Sequence, residues 1–152
     1  AAQQIAKLKK RAKAAGIPTI YVNDNFGRWR SDFREQVKHC LQDGSKGKAI
    51  AQLLRPEKDD YFVLKPRHSG FYSTSLEILL RHLGVQRLIL TGFSTEICVI
   101  CTANDAYMRW FEIAIPADCV AAESEEASHR ALEQMRRFLK ADIRPSSEVE
   151  VS

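Results

Sequence analysis

The chain lacks the features that mark several large classes of protein. No apolar run approaches the ~20 residues that a helix needs to cross a bilayer, so no membrane partner is expected. Residues 1–4 also lack the apolar core of a secretory signal peptide. The charge excess is small, since 23 Lys and Arg stand against 19 Asp and Glu. That excess does not by itself predict a nucleic-acid partner, and we expect none.

Cysteine is scarce, with four residues among 152. A chain of this length can build its core without disulfides, and 45% hydrophobic and 28% charged residues are typical of a globular protein. We therefore expect one domain over residues 1–152, in the cytoplasm, with reduced thiols. Repeats, low-complexity segments and linkers are all missing from the sequence.

Hydrophobic periodicity predicts helices that alternate with short apolar strands. The predicted helices span about 2–15, 47–54, 74–83, 96–109 and 124–140, the last N-capped by Ser124. The predicted strands span 19–22, 61–64, 87–90 and 112–115, with a weak final strand at 148–151. This alternation predicts an α/β fold with a mostly parallel sheet covered on both faces. The order begins with a helix, which is either an extra cover or follows an opening strand that this sequence lacks.

A cysteine falls where a parallel sheet usually places its chemistry, at the carboxyl end of a strand. The third predicted strand ends near Thr91, Gly92 allows a tight turn, and Ser94 or Thr95 can cap the next helix. Cys98 then lies in the first helical turn, where free N–H groups and the helix dipole favour a thiolate and could stabilise an oxyanion. The position is equally compatible with a small buried hydrophobic residue.

Two other strand ends carry candidate residues. Lys65 closes the second strand and can hold a thiolate or carboxylate by charge, or else simply extend to solvent. His68 follows in the loop, as a general base or as a solvated surface residue. After the first strand, Asp24 could be a base, a metal ligand or an Asx-turn residue. Nearby, Phe26 and Trp29 could line a pocket or join a subunit contact.

The spacing of Cys98 and Cys101 raises two alternatives to a single nucleophile. A redox dithiol is possible, but two apolar residues between the cysteines are not distinctive. A zinc site would need two further ligands, and His39 with Cys40 is the only candidate pair in the sequence. Nothing in the pattern brings that pair near, so we expect no metal site and place Cys101 in the core.

Together these segments resemble the isochorismatase-like cysteine hydrolases, the family that includes isochorismatase, nicotinamidase and N-carbamoylsarcosine amidase. The resemblance covers nearly the whole chain and rests on five segments in family order. These are YVND at 21–24, KPRHSGF at 65–71, TGFSTEICV at 91–99, TANDA at 102–106 and PADCVA at 116–121.

The resemblance implies a Rossmann-like, three-layer α/β/α fold and a triad of aspartate, lysine and cysteine. Cys98 would be the nucleophile and Lys65 the triad lysine. A cis peptide would join Phe93 to Ser94, and the backbone N–H groups of Ser94 and Cys98 would face the oxyanion. The substrate would be a small amide, imide or related molecule, with no cofactor, and the protein would be a homo-oligomer. The expected pocket residues are Asp24, Phe26, Trp29, His68 and Phe71.

Two departures from the family pattern matter. Members with a catalytic metal carry Asp-x-His after the first strand, whereas this sequence has Asp24-Asn25-Phe26, so we expect a metal-independent enzyme. In the family, the catalytic aspartate ends an opening strand, and this sequence starts after that strand. Asp24 is the only nearby carboxylate that could replace it, and we do not expect it to. A non-catalytic binding or assembly subunit is therefore the alternative function.

Overall fold

Strands and helices alternate along the chain in the computed structural model, which describes residues 1–27, 29 and 32–151. Arg28, Arg30, Ser31 and Ser152 belong to the expected 1–152 domain and lie outside the described residues. The helices are α1 (Ala2–Ala14), α2 (Phe33–Cys40), α3 (Lys48–Leu53), α4 (Leu76–His82), α5 (Ile100–Met108) and α6 (Glu125–Leu139). The strands are β1 (Ile20–Asp24), β2 (Tyr61–Lys65), β3 (Arg87–Ile89), β4 (Gly92–Phe93), β5 (Glu112–Ala114) and β6 (Val120–Ala121). A π-helical turn, Thr95–Val99, leads into α5.

The described strands form three parallel pairs, β1 with β2, β3 with β5, and β4 with β6. A parallel pair needs a long crossover between its strands, and helices supply it here. Helices α2 and α3 lie between β1 and β2 in the chain, and α5 lies between β3 and β5. The predicted α/β class with parallel pairing is therefore confirmed.

The core lies between the strands and the helices α4, α5 and α6. Small residues on α5, Ala103 and Ala106, are fully buried and leave room for the apolar face of α6. That face includes Leu132 and Met135, and burial of each such side chain contributes about 1.5–3 kcal/mol. Ser124 caps α6 as predicted, because its side chain accepts a hydrogen bond from the Ala127 N–H at 3.1 Å.

The predicted final strand at 148–151 is wrong. The chain turns there, with the Glu148 N–H bound to the Pro145 carbonyl oxygen at 2.9 Å. The Arg11 guanidinium then holds the tail, since it donates to the carbonyl oxygens of Ser146 at 2.5 Å and Val149 at 2.9 Å. Val149 is apolar because its side chain is buried, and its apolar character does not reflect pairing in a β-strand.

Helix α2 was not predicted, because its sequence offers only two apolar positions, Phe33 and Val37, in a polar stretch. Asp32 caps it, accepting a hydrogen bond from the Glu35 N–H at 2.8 Å. Phe33 anchors it by stacking on the ring of Phe62 at 4.8 Å. Within residues 1–27, 29 and 32–151, none of the helices has the length and apolarity that crossing a bilayer requires.

Candidate active site

Three predicted site residues meet where strands end. Asp24 ends β1, Lys65 ends β2, and Cys98 lies in the π-helical turn that follows β4. The Lys65 Nζ is 2.6 Å from Asp24 Oδ2 and 3.5 Å from the Cys98 sulfur. The sulfur is 3.9 Å from the same Asp24 oxygen. A carboxylate, an ammonium group and a thiol therefore form one cluster.

Lys65 does not extend to solvent, because only 3% of the residue is exposed. A buried ammonium is tolerated when all its N–H groups are paired. Here the three acceptors are Asp24 Oδ2, the Cys98 sulfur and the Arg67 carbonyl oxygen, the last at 3.1 Å. The loop after β2 thus helps to aim the lysine at the cysteine.

A neighbouring side chain holds the backbone of Asp24, and the Asp24 carboxylate faces Lys65. The Gln36 side chain donates to the Asp24 carbonyl oxygen at 2.9 Å. The turn that follows is made by Asn25, whose Oδ1 accepts a hydrogen bond from the Gly27 N–H at 2.8 Å. Asn25, and not Asp24, therefore has the Asx-turn role.

Cys98 is half-buried and lies in a first helical turn, as the sequence predicts, but this turn is π-helical and follows the short strand β4, which the sequence does not predict. The turn is wider than an α-helical turn, since the Val99 N–H reaches the Ser94 carbonyl oxygen at 3.1 Å. The peptide bond between Phe93 and Ser94 is cis. The Ser94 hydroxyl donates to Glu96 at 2.6 Å and lowers the pKa of that carboxyl group.

Sequence reasoning missed the contacts that join the loop after β2 to helix α5. The Thr102 hydroxyl accepts a hydrogen bond from the Gly70 N–H at 2.9 Å and donates to the Cys98 carbonyl oxygen at 2.7 Å. The Ser69 hydroxyl donates to Asp105. The signal was present, because both segments belong to the quoted motifs, but nothing in either motif shows which residues meet.

Phe71, expected in the pocket, lies in the core instead, with 6% of the residue exposed. Its ring packs 6.1 Å from that of Phe111, and the Arg109 guanidinium lies 4.9 Å above it. Arg109 is held by Glu77 and Asp105, at 2.8 and 3.0 Å. Phe71 therefore packs in the core beneath the ion-paired Arg109 and does not line an open pocket.

Three other expected pocket residues face solvent. Phe26 and Trp29 are 81% and 78% exposed, and His68 is exposed as well. The described hydrogen bonds and ring contacts do not connect any of them to Lys65 or Cys98. Their role in the pocket stays a prediction.

The remaining cysteines differ from Cys98 in their surroundings. Cys40 is exposed, while Cys119 is fully buried, and burial raises the pKa of its thiol to about 11. The pKa of the Cys101 thiol is also raised, mainly by burial and to a smaller extent by the neighbouring Cys98. In the part of the chain that the structure describes, no three His, Cys, Asp or Glu side chains are grouped to hold a metal ion.

Comparison with known proteins identifies the family of this chain. The family model described as Isochorismatase domain matches residues 1–142. A curated relative, the uncharacterized isochorismatase family protein YaaI of Bacillus subtilis (strain 168), is 41% identical over 145 residues. That match covers 95% of this chain and 79% of YaaI. The chain therefore belongs to the isochorismatase-like hydrolase family.

Further similar proteins are named as amidases or amidohydrolases. The ureidoacrylate amidohydrolase RutB of Methylobacterium radiotolerans is 31% identical over 148 residues, covering 84% of this chain and 57% of RutB. The crystal structure of N-carbamoylsarcosine amidase from Thermoplasma acidophilum matches with a TM-score of 0.78 and 30% identity, over 98% of this chain and 84% of that one. The pyrazinamidase/nicotinamidase of Streptococcus mutans UA159 matches with a TM-score of 0.72 and 27% identity, over 93% and 83%.

Proposed function

We propose that this protein is a metal-independent cysteine hydrolase of small amides, imides or related molecules, with Cys98 as the nucleophile. The observation that carries the proposal is the 3.5 Å contact between the Lys65 ammonium and the Cys98 sulfur. A neighbouring cation stabilises a thiolate, and the thiolate is the reactive form of cysteine. The relatives named as amidases and amidohydrolases support the substrate class.

The Asp24 carboxylate is the proton acceptor that the distances favour. Its Oδ2 lies 3.9 Å from the Cys98 sulfur, and the Lys65 ammonium bridges the two at 2.6 and 3.5 Å. When the thiol proton moves to Asp24, the negative charge moves from the carboxylate to the sulfur. Lys65 contacts both groups, so the negative charge stays beside the ammonium group and the electrostatic cost of the transfer is limited.

The thiolate then attacks the substrate carbonyl carbon, and a tetrahedral oxyanion forms. The backbone N–H groups of Ser94 and Cys98 stabilise it in this proposal. The C–N bond breaks, and the amine leaves with the proton from Asp24, so that a thioester remains on Cys98. Water next gives a proton to Asp24 and attacks the thioester, which releases the carboxylic acid and the Cys98 thiolate. Asp24 then returns its proton to the sulfur and restores the thiol.

The test compares two cysteine variants. Cys98→Ala is expected to abolish ammonia release from a panel of nicotinamide, N-carbamoylsarcosine and ureidoacrylate. Cys101→Ala, which removes the half-buried thiol one turn away, is expected to retain the wild-type rate. Unchanged turnover in Cys98→Ala would reject the mechanism. Binding of panel members without any turnover, in the wild-type protein, would support the non-catalytic subunit instead.

A further inference from the structure

One hydroxyl group connects the two segments that carry Lys65 and Cys98. Thr102 Oγ1 accepts a hydrogen bond from the Gly70 N–H at 2.9 Å and donates its own proton to the Cys98 carbonyl oxygen at 2.7 Å. Gly70 lies five residues after Lys65, and Thr102 lies one helical turn after Cys98. The hydroxyl thus joins the lysine loop to the backbone of the cysteine itself.

The loop approaches so closely that a side chain at residue 70 would be crowded. A Cβ atom at Gly70 would lie 3.1 Å from both Leu76 Cδ2 and Val22 Cγ1, and 3.5 Å from Thr102 Cγ2. Contacts of 3.1 Å between carbon atoms are repulsive. Glycine at this position therefore lets the backbone N–H reach the threonine hydroxyl.

A second link between the same segments does not involve Cys98. The Ser69 hydroxyl donates to Asp105, which also accepts a hydrogen bond from Arg109 at 3.0 Å. This link holds the loop to helix α5 two turns beyond the cysteine. Both links hold the loop against α5. Only the Thr102 link also binds the Cys98 carbonyl oxygen.

We propose that Thr102 is a positioning residue that keeps the Cys98 sulfur and the Lys65 ammonium in contact. The inference rests on the proposed function, because it assigns this contact a role in hydrolysis. The described hydrogen bonds of Thr102 go to neither the Cys98 sulfur nor the Lys65 ammonium. It acts through the Cys98 backbone on one side and through the loop after Lys65 on the other.

The experiment measures the alkylation rate of Cys98 by iodoacetamide at pH 7, from peptide masses, with the exposed Cys40 as internal reference. Thr102→Val keeps the shape of the side chain and removes the hydroxyl. The variant loses both hydrogen bonds of the hydroxyl. We expect it to slow the alkylation of Cys98 by about 3- to 10-fold, which is the net effect of about one hydrogen bond, because Thr102 acts on the sulfur only through the backbone. Thr102→Ser restores the hydroxyl and is expected to stay within about 2-fold of the wild type.

Ser69→Ala is the matched control, because it removes the other link and leaves the Cys98 carbonyl bond intact. It is expected to keep Cys98 alkylation within about 2-fold of the wild type. An unchanged rate in Thr102→Val, or an equal loss in Ser69→Ala, would overturn the proposal. If Thr102→Val does not fold, Thr102→Ala gives the same comparison. Alanine also removes the hydroxyl, but it does not place a methyl group against the Gly70 N–H and the Cys98 carbonyl oxygen.

Hydrolysis of the amide panel gives a second readout. Thr102→Val is expected to lower kcat and leave KM unchanged, since the hydroxyl positions the nucleophile and does not touch substrate. A loss confined to KM would contradict the positioning role. The alkylation assay needs no substrate, so it can fail or succeed independently of the Cys98→Ala result that decides the proposed function.

Discussion

Asp24 and Lys65 are partners at the last position of the β1–β2 ladder, and their side chains form an ion pair of 2.6 Å. The pair is asymmetric, because the lysine is buried while 29% of the aspartate side chain is exposed. Water can therefore solvate the carboxylate but not the ammonium group. Removal of the aspartate and removal of the lysine should therefore lower the free energy of unfolding by different amounts.

Replacement of Asp24 by Asn is expected to destabilise the protein more than replacement of Lys65 by Met. Asp24→Asn leaves a buried ammonium without its counter-charge and should lower the free energy of unfolding by about 1–3 kcal/mol. Lys65→Met leaves a carboxylate that water can reach, together with an apolar chain of similar length. Urea unfolding of both variants measures the difference.

The double variant Asp24→Asn/Lys65→Met is the control for this comparison. It removes both charges and should recover part of the loss caused by Asp24→Asn alone. A larger loss in Lys65→Met than in Asp24→Asn would show that the ammonium group is not desolvated as described.

The four cysteines should react with iodoacetamide in an order set by burial and charge. At pH 8, Cys98 and the exposed Cys40 are expected to react first, and the half-buried Cys101 more slowly. Cys119 should stay unmodified, since burial raises its pKa to about 11 and keeps it a protonated thiol. Peptide masses over a time course give the order, and labelling of Cys119 as fast as Cys98 would contradict it.

Asp118 should make stability depend on acidity. Burial alone would raise its pKa, but hydrogen bonds from the Ser146 N–H at 2.7 Å and hydroxyl at 2.8 Å outweigh burial and lower it. A lowered pKa in the folded state stabilises the protein above the ordinary value near 3.8. That contribution is lost as the pH falls from this value through the lower folded-state pKa.

Asp118→Asn tests this dependence. At pH 7 we expect it to lower the free energy of unfolding by about 1–3 kcal/mol, because a hydrogen-bonded carboxylate is lost. Its unfolding curve should converge with that of the wild type as the pH falls below 4. Asp43→Asn, at an exposed carboxylate, is the control and should follow the wild type throughout. A constant gap between Asp118→Asn and the wild type at all pH values would argue against the assigned cause.

Gly70→Ala should destabilise the protein through overpacking. The added Cβ would meet Leu76 and Val22 at 3.1 Å, and such crowding costs about 1–3 kcal/mol. Gly47→Ala is the matched control, because a Cβ there meets nothing within 4 Å. Thermal unfolding of the two variants gives the comparison, and equal Tm values would refute the close approach at Gly70.

The sequence predicts the elements whose signal is local and repeated. Helix α6 has an apolar face and a capping serine, and both features are confirmed. The positions of Lys65 at a strand end and Cys98 in a first turn also follow from local pattern. Helix α2 was missed because its burial depends on Phe33 stacking against Phe62, a residue 29 positions away.

Contacts between segments are what the sequence does not reveal. The pairing of Asp24 with Lys65 depends on strand register, which hydrophobic pattern alone leaves open. The sequence therefore predicts Asp24 among the pocket residues but does not predict its ion pair with Lys65 or its contact with Cys98. Phe71 packs in the core against residues that are distant in sequence, and Arg109 lies above its ring. The Gly70–Thr102 hydrogen bond likewise requires that the loop after β2 fold back onto α5.

The cluster of Asp24, Lys65 and Cys98 unites groups that are 41 and 33 positions apart along the chain. Contacts of this kind require long loops to close, which costs conformational entropy. The tertiary contacts of the whole fold offset that cost. No short fragment of the protein contains two of the three groups. The reactivity proposed for the Cys98 sulfur should therefore arise only with the global fold, and its alkylation rate should report on native assembly.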